Sequence, residues 1–193
     1  MSYGGCRFEV NDEECKRVID ETIIAWLYET AGEIAAEAAR TSPVGKVAGG
    51  QLKNSWDYKV VEDELCAYVG SPLERAIWSE YGTGEFSAEG NGRKGGWWIP
   101  VGSGENEMRP EVAAAYSWPK VRKKAGQIVA VFTYGSRPNR TLLKAFTKYK
   151  VKAPKALARK LNAARTQWKP NRVIGQKDLG NLGSFIKSNT GKW

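Results

Sequence analysis

The feature that most constrains this chain is the stretch from residue 12 to residue 40, which carries one long helical pattern. Ile19, Ile23, Trp26, Leu27, Ile34 and Ala38 fall near i, i+4, i+7 and i+8 spacing and so line one face of a helix. Asn11 is placed to cap it, and Asp12, Glu13 and Glu14 sit in the first turn, where negative charge complements the helix dipole. Gly32 is an internal weak point. Thr41-Ser42-Pro43 ends the helix, because the residue before a proline avoids the α region. Alanine is dense in the second half, which permits close backbone approach to a sheet or a second helix.

Beyond Gly45, Gly49 and Gly50 the period changes. Trp56, Tyr58 and Val60 alternate, then Leu65, Ala67 and Val69, with Glu62-Asp63-Glu64 as the turn, so residues 55–70 predict a β-hairpin. Residues 72–81 predict a short helical turn opened by Pro72. Six glycines between 82 and 96 predict a mobile loop. Residues 97–101 and 127–134 predict strands, while 102–126 carry no clear period. Residues 141–163 predict a basic helix with Leu142, Ala145, Phe146 and Tyr149 on one face, Thr141 as its N-cap and Pro154 breaking or restarting it. From Thr166 to Trp193 the chain is polar and rich in Gly, Asn and Lys, and reads as an extended arm.

Composition narrows the chemistry. Of 193 residues, 41% are hydrophobic, enough for a packed core, yet no apolar run approaches the ~18 residues of a membrane span. The first residues are acidic and lack the apolar stretch of a secretory signal. There is no histidine, which removes His-dependent triads, His metal ligands and the commonest general base near neutral pH. Cys6, Cys15 and Cys66 form no CxxC pair and are odd in number, so they read as reduced thiols rather than a disulfide framework or a closed zinc site. Gly90-Asn-Gly92-Arg-Lys-Gly95 matches GxGxxG but runs into a strand pattern instead of a helix, so it reads as a loop and not a dinucleotide site. No phosphate-binding GxxxxGK[ST] run occurs, and the Glu62–Glu64 carboxylates read as a solvated turn.

Charge is the stronger signal. The net charge is +9, but residues 1–118 hold 11 Lys/Arg and 20 Asp/Glu, a net of −9, while residues 119–193 hold 19 Lys/Arg and one acid, Asp178, a net of +18. The basic half suits a nucleic acid, an acidic protein patch or the acidic half of another copy, which favours head-to-tail association. Its densest run is Lys144, Lys148, Lys150, Lys152, Lys155, Arg159, Lys160 and Arg165. That run reads either as a solvated helix face or as a phosphate-backbone contact that reads no bases. A membrane-surface helix would need a larger apolar face. Trp97 and Trp98 are adjacent, so in a strand they point to opposite sides; one is expected in the core and the other exposed or in an interface.

Four pieces in order go beyond composition. Thr41-Ser42-Pro43-Val44-Gly45 and Gly50-Gln51-Leu52-Lys53-Asn54-Ser55-Trp56 follow the long helix. Trp78-Ser79-Glu80-Tyr81-Gly82-Thr83-Gly84 comes next, then the run from Gly135 through Pro138 to Phe146. This order resembles the tail-completion, or head–tail joining, proteins of long-tailed double-stranded DNA bacteriophages, over roughly residues 12–160. A short insertion at Gly45–Gly50 and Arg140-Thr141-Leu142 in place of Pro-Phe-Leu depart from the family pattern.

The resemblance implies an α+β fold: a long N-terminal helix and a C-terminal helix packed on a small, mainly antiparallel β-sheet. The chain is expected to divide into a core at 1–163, with a long variable loop at about 84–126, and an arm at 164–193 that has no counterpart in the family. The resemblance implies a structural, non-enzymatic virion protein of the neck, made in the host cytoplasm, with no cofactor, metal or catalytic residue. The implied partners are other copies in a ring, expected to be a hexamer, a head-completion or connector protein, a tail terminator or tail tube protein, and the double-stranded DNA in the channel; no membrane is implied. The structural motif residues are Ser42, Pro43, Leu52, Trp56, Glu80, Gly82, Gly84, Pro138 and Phe146. Channel-lining or nucleic-acid candidates are Lys144, Lys148, Lys152, Lys155, Arg159 and Lys160, and partner-contact candidates are Trp97, Trp98, Phe185 and Ile186. The reading from another class is a nucleic-acid-binding protein without sequence preference, using the basic C-terminal half.

Overall fold

The computed structural model describes residues 12–47 and 49–167. Its elements are α1 (Asp12–Thr41), β1 (Asp57–Val61), β2 (Cys66–Gly70), α2 (Glu74–Tyr81), β3 (Trp97–Pro100), α3 (Pro110–Ala115), β4 (Lys120–Lys124), β5 (Gln127–Thr133), α4 (Thr141–Lys150) and α5 (Lys152–Gln167). The fold is α+β, as the resemblance implies, and both sheets are antiparallel, but the strands form two of them: β1–β2, and a three-stranded sheet in the order β3-β5-β4.

The 30 residues of α1 make a rod of about 45 Å at ~1.5 Å per residue, and β1, β2, α4 and α5 all pack along it. Burial concentrates in its second half, at Ala31, Ile34, Ala35 and Ala38. Ile34, Ala38 and Ala145 form the centre of the core, ringed by Trp56, Val69, Leu142 and Tyr149. Facing alanines carry so little bulk that α1 and α4 pack backbone to backbone, and the aromatic rings fill the flanks. Ile19, expected on the buried face, is 41% exposed, because the packing partners gather toward the other end of α1.

The end of α1 also fixes the first hairpin. Ser42, buried, donates its hydroxyl to the Ala38 carbonyl at 2.8 Å and accepts the Trp56 indole N–H at 2.6 Å. Leu52 is buried in the turn between them. The inserted loop is held from outside, where the Lys46 backbone N–H donates to the Tyr116 hydroxyl at 2.7 Å.

Several expectations change. The basic helix at 141–163 is two helices, parted at Val151, and the second runs on to Gln167. Pro154 has no N–H for the Lys150 carbonyl four residues back, so the first helix stops there and the second accommodates the proline in its first turn. Thr141 is not the N-cap of α4; Arg140 holds that position in a left-handed conformation, and the Thr141 side chain is buried and makes no cap bond. Within the span 84–126, β3 falls where residues 97–101 predict a strand, and α3 and β4 lie in the stretch 102–126 that carries no clear period. β4 has no alternation because all five of its residues are exposed; pairing to β5 alone makes it a strand. Trp97 and Trp98 do not divide into a core and an exposed ring. Both are half-buried, since the sheet bears packed side chains on each face. The Asn11 cap, Cys6, Phe185, Ile186 and the arm beyond residue 167 lie outside the described residues.

Candidate functional site

The motif residues Glu80, Gly82, Gly84 and Pro138 meet at one junction, where the end of α2 is bonded to the start of α4. The Glu80 carboxylate accepts two backbone N–H groups there, from Leu142 at 2.9 Å and from Leu143 at 2.8 Å. The first turn of a helix leaves its N–H groups without intrahelical partners and carries the positive end of the dipole. A carboxylate from another helix therefore serves as the cap that Thr141 does not provide.

The chain then leaves α2 through Gly82, with φ of 74°, and its N–H closes the helix on the Trp78 carbonyl at 2.9 Å. Thr83 donates to the Ser136 carbonyl and Glu85 to the Tyr134 carbonyl, each at 2.9 Å, while Asn139 donates to Ser79 at 2.7 Å. Two backbones lie too close for side chains here. A Cβ on Gly82 would stand 2.8 Å from the Ser136 oxygen and 2.9 Å from Pro138, and one on Gly84 would run into the Tyr134 carbonyl and the Trp97 ring. Both glycines also hold positive φ, which a side chain disfavours.

Next to this junction lies an open apolar groove of about 630 Å³ between α1, β2, the end of α2 and α4. Buried Ile34 and half-buried Val69 line it together with Pro154, and Tyr68, Tyr81, Leu143 and Phe146, half or more exposed, line it too.

Residues 8–82 match the family described as "Bacteriophage HK97-gp10, putative tail-component". This segment is similar to that family. Comparison with curated proteins and with solved structures returned no match.

The matched segment takes in α1, the first hairpin and α2, and ends at Gly82, inside the junction. Of the motif residues, Ser42, Pro43, Leu52, Trp56, Glu80 and Gly82 fall within it; Gly84, Pro138 and Phe146 lie beyond. Glu80 ties the matched part to the last helices, and the chain between them passes through the second sheet.

The basic candidates do not share one role. Lys148 bonds Glu37 at 2.9 Å and Lys160 bonds Glu29 at 2.8 Å, both acids on α1. Part of the charge asymmetry is thus neutralised inside the chain. Glu37, its side chain only 11% exposed, lies between Arg40 and Lys148. Hydrogen bonds from Arg40 first and Lys148 second hold its carboxyl down at about 2, against partial desolvation. Lys144, Lys152, Lys155 and Arg159 are exposed on α4 and α5. A second basic cluster, on β4, was not singled out in the sequence: Lys120, Arg122, Lys123 and Lys124 stand on a hairpin closed by Ala125 and Gly126, both at positive φ. The run Lys-Val-Arg-Lys-Lys before Ala-Gly was the available signal. Arg122 lies 4.2 Å over the Trp98 ring, which meets Phe132 edge-on, and Arg93 lies 5.7 Å over Trp97. Among the described residues no group of three or more Cys, Asp or Glu side chains could hold a metal, and no helix is long and apolar enough to cross a membrane.

Proposed function

We propose that this protein is a structural component of a phage virion that forms a ring in the neck, between the head connector and the tail, around the DNA channel. The match of residues 8–82 to a phage tail-component family carries this reading. The geometry supports it. The motif residues cap, close and cross-link elements, and the chemistry around them is that of a rigid scaffold. In the ring, Lys144, Lys152, Lys155 and Arg159 would face phosphates or an acidic neighbour; Lys148 and Lys160 have partners within the chain. A nonsense mutation in the phage gene tests the reading. DNA-filled heads and complete tails should accumulate unjoined. Joined particles of normal infectivity would refute it.

A second reading, a nucleic-acid-binding protein without sequence preference, is favoured by the exposed cations of β4 and by the absence of any acid from residue 112 to residue 177. It predicts that the isolated protein binds duplexes of any sequence, with affinity falling steeply as salt rises. Binding undetectable at low salt would remove it.

A further inference from the structure

The groove between α1, β2, the end of α2 and α4 is an unpartnered apolar surface. Tyr68, Phe146, Leu143 and Tyr81, which line it, are 61, 55, 51 and 50% exposed. Leaving large side chains of this kind in water forgoes burial that the rest of the fold obtains.

The sequence holds one segment outside the described residues that suits the surface. Twenty-six residues follow Gln167, and among them Leu179, Leu182, Phe185 and Ile186 repeat at three- and four-residue spacing, with Lys177 and Lys187 flanking them. Reach permits the return. Pro154, at the groove, lies thirteen residues of α5 from Gln167, about 20 Å at ~1.5 Å per residue. Leu179 lies twelve residues beyond Gln167, and that length of chain spans up to about 40 Å. We propose that the segment from Leu179 to Ile186 is the occupant of this groove, with Phe185 and Ile186 against Phe146 and Tyr68. The inference rests on the reach and chemistry of this chain and not on the neck reading.

The test uses the full-length protein with a benzophenone amino acid in place of Phe146, and in a second variant in place of Tyr68. Both sites are more than half exposed, so the fold tolerates the probe. After illumination, mass spectrometry should place the dominant crosslinks within residues 179–186. Phe185→Asp should reduce them about tenfold or more, the effect of losing one buried aromatic anchor, and raise the binding of a hydrophobic dye, with the circular dichroism spectrum unchanged. Mixing heavy- and light-isotope chains shows whether each arm closes its own groove or that of a neighbouring copy; either result places the segment in the groove. Crosslinks concentrated on another segment, such as α2 of a second copy, would overturn the proposal. So would a folded protein that gives no crosslink from either position.

Discussion

Replacing Glu80 by alanine removes the carboxylate that joins the matched N-terminal segment to the start of α4. Two N–H groups lose an acceptor, at 2.9 and 2.8 Å. An N-cap side chain contributes about 0.5–2 kcal/mol, and a carboxylate facing the helix dipole adds about 0.3–1 kcal/mol. Leu142 is half-buried and Leu143 exposed, so water replaces one of the two lost bonds more readily than the other. The expected cost of Glu80→Ala is therefore about 2 kcal/mol, and that of Glu80→Gln, which keeps one acceptor and loses the charge, about 1 kcal/mol. For a chain of this size each kcal/mol shifts the midpoint by about 2–4 °C, so thermal melts should show losses of about 4–8 °C and 2–4 °C. Hydrogen exchange should localise the loss to residues 141–146. A Glu80→Ala midpoint within 1 °C of the parent, or exchange that rises elsewhere first, would refute the cap.

Gly84→Ala should destabilise by more than the ~1 kcal/mol of positive-φ strain alone, since its Cβ meets the Tyr134 carbonyl and the Trp97 ring; Gly90→Ala, also at positive φ but with open space around it, should cost only the strain, and paired denaturant titrations compare the two. Trp56→Phe should cost about 1–2 kcal/mol by leaving the buried Ser42 hydroxyl without its indole donor, and the Ser42→Ala background should shrink that cost in a double-mutant cycle. Because the Glu37 carboxyl is held down at about 2 from an ordinary value near 4.5, its contribution is complete above about pH 4.5 and is lost as pH falls toward 2; Glu37→Gln should flatten the stability profile across that window. Replacing Lys120, Arg122, Lys123 and Lys124 of β4 by glutamine should lower any duplex affinity and its salt slope, measured by fluorescence anisotropy, more than the same change at Lys148 and Lys160, which already bond acids of α1.

The parts of the fold that were legible in the sequence are those whose burial is periodic. α1 and the first hairpin follow from spacing, and β5 from alternation over Gln127–Thr133. β4 was not, because every residue in it is exposed and only its partner strand makes it a strand. The break between α4 and α5 follows from Pro154, but its place at Val151 depends on which carbonyl the proline leaves unbonded. The junction was half legible. Gly82 and Gly84 read as points of backbone freedom, and Glu80 as part of a motif. Their partners, sixty-two residues on for Glu80 and Leu142, follow from the tertiary fold and from no local pattern. Charge behaved the same way. The split at residue 118 is plain in the sequence, whereas the pairing of Lys148 and Lys160 with acids of α1 needs the packing of the last helices to be known.

The measurement closest to the central claim is cryo-electron microscopy of the intact phage particle, with this chain fitted into the neck. The neck reading predicts a closed ring of density at the head–tail junction into which the α1, hairpin and α2 unit fits, with Glu80 facing the start of α4 within each copy. Density for the chain elsewhere in the virion, or a purified particle whose peptides include none from this sequence, would contradict it.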